Sequence, residues 1–191
     1  MELIEKKIRE EGVVLDGNVL KVDCFLNHQI DIPFLSELAT CIYEEFKSEN
    51  VSKVLTVEAS GIALAALVAE KFGSKMVFAK KTRTSNLGDS EVLSSQVRSF
   101  THNVTNNIMV NSKYIKKTDR VLVVDDFLAR GEAVRGMIDI VSQAGAELVG
   151  VVSAIEKGFQ GGGDELREKG VKVFSLAIID EMSPDHITFR K

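Results

Sequence analysis

The sequence predicts an α/β domain with a mainly parallel sheet, and three observations carry that expectation. Short apolar runs alternate with amphipathic stretches from Lys53 to Ala154, as strand–helix–strand units require. Glycines (Gly12, Gly73, Gly145) follow the helical stretches, where a helix ends on a residue free of Cβ strain. No internal repeat and no linker rich in proline, glycine and serine divides the 191 residues, so they form one domain.

Each element has its own signal. Leu3, Ile4 and Ile8 on a charged background predict a short amphipathic helix. VLKVDCFLNHQID reads as a strand or an ordered loop, and Pro33 opens a helix with Phe34, Leu35, Leu38, Ala39, Ile42, Tyr43 and Phe46 on its apolar face. Lys53–Val57 is a buried strand, 62–72 an apolar helix and Lys75–Ala79 another strand. Residues 80–96 (KKTRTSNLGDSEVLSSQ) lose periodicity and read as a long polar loop. Residues 97–100 and 108–110 pair antiparallel; strand 121–124, helix 132–144 and strand 148–155 follow. A bend at 158–163, a short helix and strand 171–178 complete the chain.

Composition narrows the function classes. Hydrophobic residues at 45% and charged residues at 27% suit a soluble globular protein. A net charge of -4, from 28 acidic and 24 basic side chains, argues against a nucleic-acid partner. The N-terminus MELIEKKIREEG lacks the apolar core of a signal peptide, and the apolar run 62–69 is too short for a bilayer, so no membrane and a cytoplasmic location are expected. Cys24 and Cys41 read as thiols outside any metal spacing; His28, His102 and His186 also lack zinc-like spacing.

The chemistry concentrates in VLVVDDFLARGEA, Val121 to Ala133. An apolar strand runs into Asp125 and Asp126, and a small-residue loop then starts a helix. Ligands of open α/β sheets bind beyond the carboxyl ends of the strands. Loop amides and the helix N-terminus can cradle a phosphate there. Adjacent carboxylates, on opposite sides of an extended chain, can accept from vicinal hydroxyls or approach a hydrated Mg²⁺. A Walker loop is excluded by the lack of GxxxxGK[ST], and a dinucleotide fold by the lack of GxGxxG after the first strand.

This thirteen-residue stretch resembles the phosphoribosyl diphosphate signature of type I phosphoribosyltransferases. LKVDCFLNHQID, EASG (Glu58–Gly61) and IEKGFQ (Ile155–Gln160), in that order, extend the likeness over nearly the whole chain to the family's xanthine-using bacterial branch. The resemblance implies the type I fold, with one domain over 1–191. A base-binding hood would be formed by 1–32 and about 155–191, and a flexible lid by 80–100. It implies that Asp125 and Asp126 bind the ribose hydroxyls, while Ala129, Arg130, Gly131, Glu132 and Ala133 hold the 5′-phosphate. Ser60 and Gly61 would form the pyrophosphate loop, and Lys80, Lys81 and Arg83 the cations of the lid. Leu20, Asn27, Lys157 and Phe159 would hold the base.

These base residues suit a purine: Phe159 offers a stacking face, Lys157 donors for O6, and Asn27 a donor and an acceptor. The implied reaction moves the 5-phosphoribosyl group to N9 of xanthine in purine salvage, with Mg²⁺ arriving on phosphoribosyl diphosphate and a homodimer as the assembly. Two departures stand out. Ala129 occupies the place where hypoxanthine-guanine enzymes carry a proton-transfer aspartate, and Arg130 and Ala133 replace common hydroxyl residues. Glu132 beside a phosphate would repel it, so its carboxylate is expected to point away. A guanine- or hypoxanthine-preferring enzyme and a non-catalytic sensor of phosphoribosyl diphosphate are the alternatives; a sensor's DNA-binding domain has no room in the chain.

Overall fold

Strand β7 (Arg120–Leu128) lies inside a six-stranded sheet of order β10-β9-β8-β7-β3-β4. β3 (Lys53–Val57), β4 (Lys75–Ala79), β8 (Glu147–Lys157) and β9 (Val173–Ser183) run parallel in it, and only β10 (His186–Phe189) is antiparallel. The computed structural model describes residues 1–81, 91–99 and 104–191.

Alternation along β7 feeds two cores. Leu122 and Val124 join one face with Leu35, Ile42 and Val68, while Val121 and Val123 join the other with Met137 and Ile140. A strand buried on both faces reads as an unbroken apolar run, which is why VLVV was legible. Each fully buried valine or leucine contributes about 1.5–3 kcal/mol. Helices α2 (Ile32–Phe46) and α3 (Ile62–Lys71) cover the first face. α4 (Glu132–Gln143) covers the second, and α5 (Gly162–Glu168) adds Leu166 there. Asp31 caps α2 by accepting from the Phe34 amide at 3.1 Å.

Two expectations are corrected and a third is resolved. The strand carrying the motif does not end at Val124. Its parallel pairing with β8 continues through Asp125 with Ser153 and Leu128 with Glu156, because backbone pairing is indifferent to the side chains it carries. The polar stretch after Lys80 is not loop throughout. Residues 92–99 form β5 (Val92–Ser99), paired antiparallel with β6 (Val104–Asn111). Leu93 and Val97 pack on the second core, and Gln143 of α4 exchanges hydrogen bonds with the Ser94 backbone. Gly136 permits that approach, since a Cβ there would meet Val97 and Ile108. The segment read as strand or loop is both: β2 (Val19–Lys21) pairs with β1 (Val13–Leu15), and a π-helical turn, Asp23–Asn27, follows.

Helix α1 (Glu2–Glu11) buries Ile4 and Ile8 and ties the N-terminus to the sheet's far edge. The Met1 amino group donates to Leu176 O at 2.6 Å, and Arg9 to Ile187 O at 3.1 Å. Both ends of the chain therefore meet beside β9 and β10. Among the described residues no helix is long and apolar enough to cross a membrane.

Candidate active site

Asp125 and Asp126 are recessed at the carboxyl end of β7, at 4% and 5% exposure. Two distant segments converge on the second of them. Ser60 Oγ donates to Asp126 Oδ1 at 2.8 Å, and Asn27 Nδ2 donates to Asp126 Oδ2 at 3.2 Å. Asp125 Oδ1 accepts from the Asp126 amide at 3.0 Å. Burial, and next the neighbouring Asp126 carboxylate, hold the Asp125 carboxyl well above the usual carboxylate range.

Gly61 packs directly on this pair. A Cβ there would overlap the Thr56 hydroxyl and lie 3.2 Å from Asp125 Oδ1, so only glycine lets the chain pass so close. Thr56 is fully buried, and its hydroxyl makes no hydrogen bond among the described residues. The segment Glu58–Gly61 is thus a turn pressed against the acids. Ser60 does not cap α3; Gly61 stands at that position, and the Ser60 hydroxyl is spent on Asp126.

The loop after β7 leads into a helix N-terminus, an arrangement whose amides can face an anion. Gly131 has φ +78°, a conformation that favours glycine, and stands immediately before α4. The amides of Glu132, Ala133 and Val134 form the first turn of α4 and lack intrahelical acceptors. Arg130 is exposed and Ala129 half-buried beside them. Arg135 fastens the loop from behind. It donates to Arg130 O, meets Glu132 Oε1 at 3.2 Å and reaches Glu165 of α5 at 3.3 Å. The Glu132 carboxylate is therefore drawn towards Arg135.

Lys80 and Lys81 stand where β4 gives way to the polar stretch. Lys80 exchanges backbone hydrogen bonds with Met109, and the Lys81 amide donates to Glu58 Oε1 at 2.6 Å. Lys81 is near enough to act electrostatically on Asp125. Arg83 and His102 lie outside the described residues.

The residues expected at the base come from the β1–β2 hairpin with the turn after it and from the end of β8 with the turn after it. Lys157 ends β8, and its Nζ donates to Asn18 O, in the β1–β2 turn, at 2.8 Å. It also sits 5.6 Å over the Phe127 ring. Burial lowers the Lys157 pKa. Leu20 is buried in the same hairpin, and Phe159 stands 38% exposed on the 3₁₀ turn Gly158–Gln160. His28 is exposed, and His186 meets Thr188 at 2.8 Å, away from the acids.

Sequence reading missed several supports: Glu58, Arg135, Glu156 and Arg167. An available signal was the i, i+3 spacing of Glu132 and Arg135 on one helix face. Glu58 and Glu156 carry no such signal, because their partners are distant in sequence.

An open parallel sheet with recessed acids and a glycine-started helix at its carboxyl edge defines a class of α/β protein that takes its ligand at that edge. Residues 27–184 match the family model described as the phosphoribosyl transferase domain, and the chain belongs to that family. It is 50% identical to xanthine phosphoribosyltransferase 1 of Clostridium perfringens over 191 residues, covering 100% of both chains. It is 49% identical to xanthine phosphoribosyltransferase 2 of Clostridium botulinum, again over 100% of both. Among solved structures, the APRTase of Giardia lamblia complexed with 9-deazaadenine is similar in fold, with TM-score 0.76 and 18% identity over 94% of this chain and 98% of that one. Adenine phosphoribosyltransferase of Rhodothermus marinus gives 0.71 and 24% over 92% and 97%. These matches bear out the type I fold that the motif resembles.

Proposed function

We propose that the protein transfers the 5-phosphoribosyl group of phosphoribosyl diphosphate to N9 of xanthine, yielding XMP and diphosphate in purine salvage. One observation carries the reading. The diphosphate-loop serine and the N-terminal Asn27 meet on the second acid of the signature strand, in a chain half identical, end to end, to enzymes named for this reaction.

Asp125 and Asp126 accept from the ribose hydroxyls, and the amides of 131–133 with the Arg130 guanidinium hold the 5′-phosphate. Ser60, Gly61, Lys80 and Lys81 border the diphosphate. Lys157 keeps two of its three donors beyond Asn18 O for the purine O6, Leu20 walls the ring and Phe159 stacks on it. Asn27 bridges the two halves of the site, since the residue expected at the base edge already touches the ribose acid.

As C1′ parts from diphosphate it develops oxocarbenium character, so catalysis rests on neutralising the leaving group. The donor set fits Mg²⁺: the two recessed carboxylates supply hard oxygens of the kind that accompany substrate phosphates. Bound with the diphosphate, the ion would supply that neutralisation. Ala129 has no proton to exchange, so the phosphate loop binds and orients only. The homodimer rests on the family resemblance and the cytoplasmic location on the expectation read from the sequence; sedimentation of the purified chain tests the homodimer.

Incubating the protein with xanthine, phosphoribosyl diphosphate and Mg²⁺ is expected to give XMP and diphosphate in equal amounts. Binding of phosphoribosyl diphosphate without product from any purine would instead favour a sensor.

A further inference from the structure

Glu156 is the residue before Lys157, and its side chain is 0% exposed. A carboxylate is rarely buried so fully without partners, and here every partner comes from outside its own strand. Arg167 of α5 clamps it in bidentate fashion, Nη1 to Oε1 at 2.9 Å and Nη2 to Oε2 at 2.7 Å. Ser175 of β9 donates a short hydrogen bond to Oε2. Gly163 lies against the same carboxylate so closely that a Cβ would overlap it. Arg167 in turn meets Asp164 at 3.0 Å, and Arg190 ties Asp164 at 2.8 Å to Asp180 of β9.

The Arg167 and Gly163 contacts come from α5, the element the chain enters on returning from Lys157, and Ser175 comes from β9. The tip of the turn carrying Phe159 has little packing of its own, since Phe159 is exposed and Gly161, at φ +77°, has nothing within 4 Å of its would-be Cβ. Its flanks hold it: buried Gly158 packs on Asp180 and Arg190, Gly162 lies on the Ala129–Gly131 backbone, and Gly163 with Arg167 closes on the carboxylate one residue before Lys157. We infer that Glu156 is a positioning residue for the purine, whose buried carboxylate closes the Lys157–Gly163 segment into a fixed loop and so aims Lys157 and Phe159. This inference rests on the reading of those two residues as base contacts.

Two variants test it: Glu156→Gln, nearly isosteric but uncharged, and Ser175→Ala, which deletes one hydrogen bond and keeps the ion pair. For each, the KM for xanthine and for phosphoribosyl diphosphate is measured alongside amide hydrogen exchange. Misplacing a binding group by about 1 Å can cost up to about 10²-fold. The xanthine KM is therefore expected to rise about tenfold in Glu156→Gln and less in Ser175→Ala. The diphosphate-substrate KM should rise too but by less, about two- to threefold, because Gly162 touches the phosphate loop while Arg135 fastens that loop separately. Exchange should quicken at 158–163 and stay unchanged at 60–65. Equal rises in both KM values, or faster exchange throughout the chain, would make Glu156 a general stabiliser and overturn the inference. So would unchanged xanthine KM and exchange. Should the wild-type protein prefer another purine, the proposed substrate fails, while exchange at 158–163 still decides whether Glu156 fixes the loop.

Discussion

Ser60 Oγ donates to Asp126 Oδ1 across 2.8 Å, joining the turn after β3 to the acid near the end of β7. With Asn27 on Oδ2, the carboxylate already faces two donors before any ribose arrives. Asp126→Asn preserves the shape but replaces one acceptor oxygen with a donor among donors. Hydrogen bonds to charged groups contribute about 1.5–3 kcal/mol each, so kcat/KM for phosphoribosyl diphosphate should fall by about 10²-fold. Ser60→Ala should cost about tenfold. Steady-state kinetics check both, and near-normal rates in Asp126→Asn would remove its assigned role.

Asp125 gives a pH-dependent prediction. Burial raises its carboxyl in the folded state, so between the unfolded and folded pKa values the folded chain binds more protons. Stability from this group therefore falls as pH rises from the ordinary carboxylate value, about 3.9, through the raised one. Asp125→Asn removes that loss and can still accept from the Asp126 amide. It should melt at a higher temperature than the wild type, by a larger margin at pH 8 than at pH 4, while losing activity. An identical margin at both pH values would contradict the assignment.

Gly162 couples the Phe159 turn to the Ala129–Gly131 loop. Its amide donates to Ala129 O at 3.2 Å, and a Cβ would overlap Ala129 O and the backbone of Arg130 and Gly131. Gly162→Ala must push the phosphate loop, costing about 1–3 kcal/mol of stability and raising the KM for phosphoribosyl diphosphate about tenfold. Gly161→Ala is the control: its Cβ would be in open space, so only its positive φ costs, about 1–2 kcal/mol, and KM should hold. Thermal melts with kinetics on both variants separate the two effects.

Lys157→Ala removes the donor poised between Asn18 O and the Phe127 ring. The KM for xanthine should rise at least about tenfold, as loss of a charged hydrogen bond implies, with that for phosphoribosyl diphosphate unchanged. Isothermal titration with each ligand checks the split.

What was legible in the sequence follows from physical range. Periodicity found β3, α3, β4 and α4 to within a residue or two, because burial on a helix stripe or a strand is a local pattern. It stopped β7 four residues early, at Val124, because polarity there comes from function rather than from leaving the sheet. β5 was read largely as loop since its serines and glutamine hide a half-buried strand, held by β6 and Gln143. The motif placed both acids, but their burial and the Ser60–Asp126–Asn27 convergence are tertiary facts. Glu156 carries no local signal of its burial, because its partner Arg167 lies eleven residues on and reaches it only through the fold.

The central claim is the choice of acceptor, and a competition assay tests it most directly. Equimolar xanthine, guanine and hypoxanthine are supplied with limiting phosphoribosyl diphosphate, and the nucleotides formed are quantified. The account predicts XMP as the dominant product, with kcat/KM for xanthine at least about tenfold above the others, the discrimination worth about 1.4 kcal/mol. GMP or IMP forming faster than XMP would contradict it.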